Sequence, residues 1–274
     1  MSLVTTDWLY ENLNNVKIID STWHMPKTKR DGYKEYLKSH IKNSLFFDID
    51  ECSKKNTDLP HMLVDQGEWE KIVSNMGIRN DDLIVIYDNS DLISSCRCWY
   101  NFIYFGHNPK LIKILNGGLR KWKRENKETT EKLQDIKKTK YSARELKYLV
   151  KNKKQIDKNI FESKFKVIDA RSLNRFKGLE EEPRKGLRSG SIENSYCLPF
   201  NECINNNTNE FLDSQKLEEK FKKVINDTKN INITFTCGSG VTAAVLAFAL
   251  FLVNNKYLPI IYDGSWSEYG KYPS

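Results

Sequence analysis

Long apolar runs are missing from this sequence. The longest, Val241 to Val253, covers about thirteen residues, whereas a helix that crosses a bilayer needs about 20, so the run suits a buried helix and no membrane partner is expected. Cysteine is sparse too: six residues, at positions 52, 96, 98, 197, 203 and 237, in a chain of 274. A chain of that length can build its own core and does not depend on disulfide staples, so these read as reduced thiols. Cys96 and Cys98 are separated by one residue, and neither a second close pair nor a His pair accompanies them, which argues against a zinc site. Nothing calls for a metal or an organic cofactor. The first residues, Met1 to Leu9, lack the basic and apolar sections of a secretory signal, and Asp7 and Glu11 do not suit a transit peptide. The expected compartment is therefore the cytoplasm, with the mitochondrion as the alternative.

What is present describes a globular chain with a basic surface. Hydrophobic residues make up 39% and charged residues 29%, enough apolar material for packing along the whole length. The formal charge of +8 lies largely in Lys121 to Lys140 and Lys147 to Lys158, where lysines mix with asparagines and acids. Such stretches read as solvated faces and connectors. Neither stretch repeats basic residues with interleaved aromatics as a nucleic-acid groove would require, so nucleic acid is not an expected partner.

The sequence repeats itself once. The first half contains Val16-Lys-Ile-Ile-Asp20, His40-Ile-Lys-Asn-Ser44, Leu83-Ile-Val-Ile-Tyr-Asp88 and Ile114-Leu-Asn-Gly-Gly-Leu-Arg-Lys-Trp122. The second half answers in the same order with Lys166-Val-Ile-Asp169, Ser191-Ile-Glu-Asn-Ser195, Asn232-Ile-Thr-Phe-Thr-Cys237 and Ile260-Ile-Tyr-Asp-Gly-Ser-Trp-Ser-Glu-Tyr269. Four blocks in one order indicate a duplicated domain. Short β-branched runs (84–87, 231–235, 260–262) alternate with stretches of helical period (68–76, 99–105, 217–224, 242–252), which predicts an α/β fold with parallel sheets flanked by helices. The boundaries read as a first domain over 1–126, a polar linker over 127–140 and a second domain over 141–274. Ser142, followed three residues later by Glu145, looks like the capping box that opens the next helix.

Chemistry concentrates at Cys237-Gly-Ser-Gly-Val-Thr-Ala243, which follows a strand and runs into a helix. Two glycines let the backbone curl so that successive N–H groups can face whatever the cysteine holds, and the amino end of the helix adds its positive pole. Both favour a thiolate nucleophile at a strand end. In the first half the matching position is Asp88, which offers no thiol nucleophile, and the acidic Asp91 would repel an anion there.

Cys237-Gly-Ser-Gly-Val-Thr-Ala243 resembles the active-site loop of the 3-mercaptopyruvate branch of the tandem rhodanese family. Asp169-Ala-Arg171, the stretch from Arg175 to Arg184, Tyr262 to Gly270, Phe47-Asp-Ile-Asp50 and Asn116 to Trp122 are similar to family signatures in the family's order. The resemblance implies two rhodanese-like domains, only the second catalytic, and a persulfide on Cys237. It implies that sulfur is taken from 3-mercaptopyruvate with release of pyruvate and given to cyanide or to a thiol such as thioredoxin or glutathione. It also implies a carboxylate clamp of Arg175 and Arg184, with Lys185 and Arg188 near enough to share the role, and a proton relay of Ser239, Asp50 and His61. Gly238, Gly240, Val241 and Thr242 would complete the donor site, the Thr242 hydroxyl returning to a loop carbonyl; Trp266 and Tyr269 read as core. Relatives preferring thiosulfate carry basic side chains inside the loop, where this chain has Gly238 and Ser239. Thiosulfate:cyanide transfer and sulfur relay to tRNA thiolation remain the alternatives. A Cys-x5-Arg phosphatase loop is excluded because Ala243 stands at the arginine position. Both halves lose the proline and second glycine of the family's Gly-His-Ile-Pro-Gly-Ala segment, and Asn43 and Asn194 can serve its turns at positive φ.

Overall fold

The computed structural model describes residues 2–226 and 232–272. The chain divides into two compact units. The first comprises Met1–Lys55, Leu63–Leu146 and Asn206–Glu210, and the second Asn56–Met62, Lys147–Asn205 and Phe211–Ser274.

In the first unit the elements run β1 (Leu3–Val4), α1 (Thr6–Glu11), β2 (Lys17–Asp20), α2 (Gly32–Lys38), β3 (Ser44–Phe46), α3 (Gln66–Asn75), β4 (Ile84–Tyr87), α4 (Ser95–Tyr104), β5 (Ile112–Leu115) and α5 (Gly118–Arg124). The strands pair in parallel in the order β1-β5-β4-β2-β3. Every residue of β4 is buried, because a parallel sheet with helices on both faces leaves no strand face to water and selects an unbroken apolar run. Leu119 and Trp122 of α5 pack with Val4, Ile18, Val85 and Tyr87 in the core. Cys96 and Cys98 are fully buried in α4.

The second unit repeats the plan with β6 (Val150–Lys151), α6 (Lys153–Glu162), β7 (Lys166–Asp169), α7 (Leu173–Phe176), β8 (Tyr196–Cys197), β9 (Ile204–Asn205), β10 (Glu210–Phe211), α8 (Ser214–Ile225), β11 (Ile233–Thr236), α9 (Val241–Val253), β12 (Ile260–Tyr262) and α10 (Ser265–Tyr269). Its parallel sheet has the order β6-β12-β11-β7-β8, so each strand takes the place of its counterpart in the first unit. Ile231, the first residue of the run read as a strand, lies outside the described residues. Helix α8 buries Leu217, Phe221 and Ile225 on one stripe and turns its lysines and glutamates outward. Helix α9 is apolar all round and buried from Val241 to Leu250 apart from Thr242. Asn43 and Asn194 occupy corresponding turns at φ 65° and 58°.

The polar stretch after α5 does not stand free. It runs along the first unit: His40 and Thr130 exchange backbone hydrogen bonds of 3.0 and 2.9 Å, Gln134 Nε2 donates to the Asn43 carbonyl at 2.7 Å, and Thr139 N–H donates to Ser74 O at 3.0 Å. The expected helix start at Ser142 is not formed. Ser142 N–H donates to Asn80 Oδ1 and its carbonyl accepts from Asn80 Nδ2, Ala143 N–H donates to Glu70 Oε1, and Arg144 N–H and Leu146 N–H donate to Phe105 and Tyr104 carbonyls. Those partners hold the backbone extended, and the capping box sits ten residues later on Asn152 and Gln155. Among the described residues no helix is long and apolar enough to cross a membrane.

Candidate active site

Cys237 follows directly on β11, and the chain then turns through Gly238, Ser239 and Gly240 into α9. Gly240 is the residue before the helix and adopts φ +81°, the left-handed region that a glycine enters without steric cost. In that conformation its N–H donates to Cys237 Sγ at 3.1 Å, and the sulfur sits against the amino end of a 13-residue helix, where donors and dipole both meet negative charge. The loop is fixed from behind by the start of α10. Cys237 N–H donates to Ser265 Oγ at 3.3 Å, the Cys237 carbonyl accepts from Trp266 N–H at 2.9 Å, and the Gly238 carbonyl accepts from Ser267 N–H at 2.9 Å and Ser267 Oγ at 2.5 Å.

Two guanidinium groups stand over Gly238. A Cβ placed on that glycine would lie 3.4 Å from Arg175 Nη2 and 3.4 Å from Arg184 Nη1. Arg175 comes from α7, and Arg184 from the loop that follows it. Ser239, buried beside them, accepts from Arg184 Nη2 at 3.2 Å and lies 2.9 Å from His61 Nδ1. Arg184 can only donate, so it orients the hydroxyl oxygen in either protonation arrangement. The single proton between Oγ and Nδ1 can then sit on the serine or on the histidine, which is what a proton relay requires. His61 is 4% exposed and held at φ +60°, a conformation that costs a non-glycine residue energy and that surrounding structure must enforce.

Arg175 is held by a buried ionic cluster. Glu182 binds Arg175 through two hydrogen bonds, Oε2 to Nη2 at 2.6 Å and Oε1 to Nε at 3.1 Å, and Oε1 also takes Arg171 Nη1 at 2.7 Å. Arg171 grips Asp169 at the end of β7, with Nη2 to Oδ2 at 2.7 Å, donates to the Gly190 carbonyl at 2.8 Å, and lies with its guanidinium carbon 4.2 Å from the Trp266 ring centre. The ion pair of Arg175 and the approach of Arg175 to the loop are therefore compatible, the first setting the second. Arg171, Glu182, Ser265 and Ser267 carry no functional assignment in the sequence reading. The available signal was that all four fall inside the stretches similar to family signatures, Asp169 to Arg171, Arg175 to Arg184 and Tyr262 to Gly270.

Asp50 lies in the first unit, where its Oδ2 accepts from Trp23 Nε1 at 2.8 Å. Arg188 lies over the Trp266 and Tyr269 rings, 4.7 and 5.5 Å from their centres, and Lys185 is exposed. Val241 and Thr242 form the first turn of α9; Val241 is buried, and among the described residues the Thr242 hydroxyl makes no hydrogen bond to a loop carbonyl. Trp266 is core, 1% exposed.

The corresponding loop of the first unit is closed by its own side chain. Asp88, at the end of β4, accepts from Ser90 N–H at 2.8 Å and Ser95 N–H at 2.9 Å, so the amides that could face an anion are already occupied, and burial pushes this carboxyl above its ordinary range. Asp91, expected to repel anions, is ion-paired with Arg120 and lies 3.8 Å from Arg30; Asp88, not Asp91, blocks the loop.

Residues 5–125 and 152–272 each match the Rhodanese-like domain model. Over 99% of its length the chain is 35% identical to thiosulfate/3-mercaptopyruvate sulfurtransferase 1, mitochondrial, from Arabidopsis thaliana, of which it covers 76%. It is 34% identical to mouse 3-mercaptopyruvate sulfurtransferase, covering 98% of this chain and 91% of that one. The crystal structure of SseA from Escherichia coli, described with the rhodanese fold and mechanism of 3-mercaptopyruvate sulfotransferases, superposes with a TM-score of 0.86 at 30% identity, over 98% of this chain and all of SseA. The duplicated sheet, the cysteine loop and these relatives together establish that the chain belongs to the rhodanese family and is a two-domain sulfurtransferase.

Proposed function

We propose that Cys237 of the second unit takes sulfur from 3-mercaptopyruvate. The observation that carries this reading is the joint placement of Arg175 and Arg184 over an uncharged Gly238, next to a sulfur that accepts the Gly240 N–H. Paired planar donors suit a carboxylate and keto oxygen. The Cys237 thiolate attacks the donor sulfur, an S–S bond forms, and the C–S bond breaks with its electron pair going to carbon. The resulting pyruvate enolate takes a proton at that carbon, the one the cysteine thiol gave up, through Ser239 and His61. An acceptor thiolate then attacks the outer sulfur, and Cys237 leaves as thiolate. Asp50 enters this scheme from the sequence resemblance alone. The two guanidinium groups also allow thiosulfate as a slower donor, in keeping with the double name of the Arabidopsis relative. A cytoplasmic location and thioredoxin or glutathione as acceptor complete the proposal.

The test is intact mass after incubation with 3-mercaptopyruvate. The wild type gains one sulfur atom that reductant removes, with one pyruvate released; Cys237→Ser gains none. Pyruvate release by that variant at a substantial rate refutes the assignment.

A further inference from the structure

Glu182 places a full negative charge directly behind Arg175, with one oxygen on Nη2 and the other on Nε. Its side chain is 2% exposed, unlike Glu180, which is exposed and accepts from Ser172 Oγ at 3.2 Å. From its oxygens the path to the space over Gly238 is short: 2.6 Å to Arg175 Nη2 and 3.4 Å from there to where a Gly238 Cβ would lie. A buried charge so close is weakly screened, and its field reaches any anion bound between the two arginines.

We infer that Glu182 is a specificity residue, limiting how much negative charge the donor can bring and favouring a monoanion over a dianion. This deepens the donor reading above and rests on it: 3-mercaptopyruvate with its thiol protonated carries one negative charge, and thiosulfate carries two. Glu182 acts through space and through Arg175 and does not touch the donor. Each unit of donor charge is opposed by the carboxylate at about 6 Å, which at an effective dielectric constant of about 20 corresponds to roughly tenfold to hundredfold in relative affinity.

The experiment compares wild type with Glu182→Gln, and Glu182→Asp with Glu182→Asn, so that charge is removed at fixed length in two independent pairs. The readout is protection of Cys237 from alkylation by neutral iodoacetamide, titrated with pyruvate as monoanion and sulfate as dianion. In each neutral variant the half-protecting sulfate concentration falls, relative to that of pyruvate, by roughly tenfold or more, and Glu182→Asp keeps the wild-type ratio. The ratio of kcat/KM for thiosulfate to that for 3-mercaptopyruvate rises by the same factor. Equal movement of both protection curves overturns the inference, because loss of packing or of Arg175 alignment weakens both anions alike. A moving ratio in a protein that forms no persulfide from 3-mercaptopyruvate upholds the charge effect and sinks the donor reading.

Discussion

Replacing Gly238 by alanine separates the fold from the donor site more cleanly than any change at the cysteine. Gly238 does not need a positive φ, and a methyl there would meet Arg175 Nη2 and Arg184 Nη1 at 3.4 Å, the tight end of ordinary contact, with no closer neighbour. Reducing the freedom of the unfolded chain offsets that crowding by about 0.4–1 kcal/mol, so stability stays near wild type. The methyl nevertheless fills the space between the guanidinium groups where the donor carboxylate is proposed to lie. Displacing the donor sacrifices one or two charge-assisted hydrogen bonds at about 1.5–3 kcal/mol each, or roughly 10- to 10,000-fold in kcat/KM for pyruvate release. The assay is steady-state pyruvate formation beside thermal unfolding, with Gly240→Ala as the contrast. At φ +81° an alanine costs about 1–2 kcal/mol of stability, so Gly240→Ala lowers the unfolding temperature as well. A Gly238→Ala enzyme within threefold of wild type in kcat/KM would refute the placement of the donor over this residue.

Ser239→Ala and His61→Gln should each slow pyruvate release by roughly 100-fold or more while KM changes little, since a relay acts on protons and not on binding; a pure KM effect in rapid-mix kinetics would contradict the relay. Iodoacetamide should label Cys237 well before Cys52, Cys197 and Cys203, whose thiols burial pushes up to about 12; peptide mapping after brief alkylation checks the order, and prior labelling of Cys197 would count against it. Burial raises the Asp20 carboxyl to about 7, above its unfolded range, so the folded state holds a proton that the unfolded chain releases. That cost is absent at low pH and grows as pH rises from about 4 through 7, to an upper bound of about 4 kcal/mol. Asp20→Asn should therefore flatten the decline of urea stability between pH 5 and 8, and parallel curves for the two proteins would exclude Asp20 as its source.

The fold was legible because duplication doubles every signal. Four blocks repeat in order, and the two sheets share one strand order, with β4 and β11 each buried throughout between equivalent neighbours. Local signals failed where distant partners outweighed them: Ser142 has the spacing of a helix start, but the side chains of Asn80 and Glu70 claim the amides a helix would use. At the site, sequence named Cys237, Ser239, Arg175, Arg184 and His61, and the structure brings these five together within the second unit. That His61 belongs there could not be read from its position, because the segment 56–62 interrupts the first unit's share of the chain. Glu182 had no assigned role, since spacing alone does not reveal that one carboxylate binds both Arg171 and Arg175.

The strap after α5 has a consequence for the chain's solubility. Strand β3 is the edge of the first sheet and, among the described residues, pairs with β2 alone, the kind of margin that recruits strands from other molecules. Thr130 and Gln134 hold the strap at His40 and Asn43, immediately before that strand. A protease nick near Lys132 would thus loosen the segment that leads into the edge strand, and light scattering of the nicked protein should rise while pyruvate formation persists; unchanged scattering would count against this role.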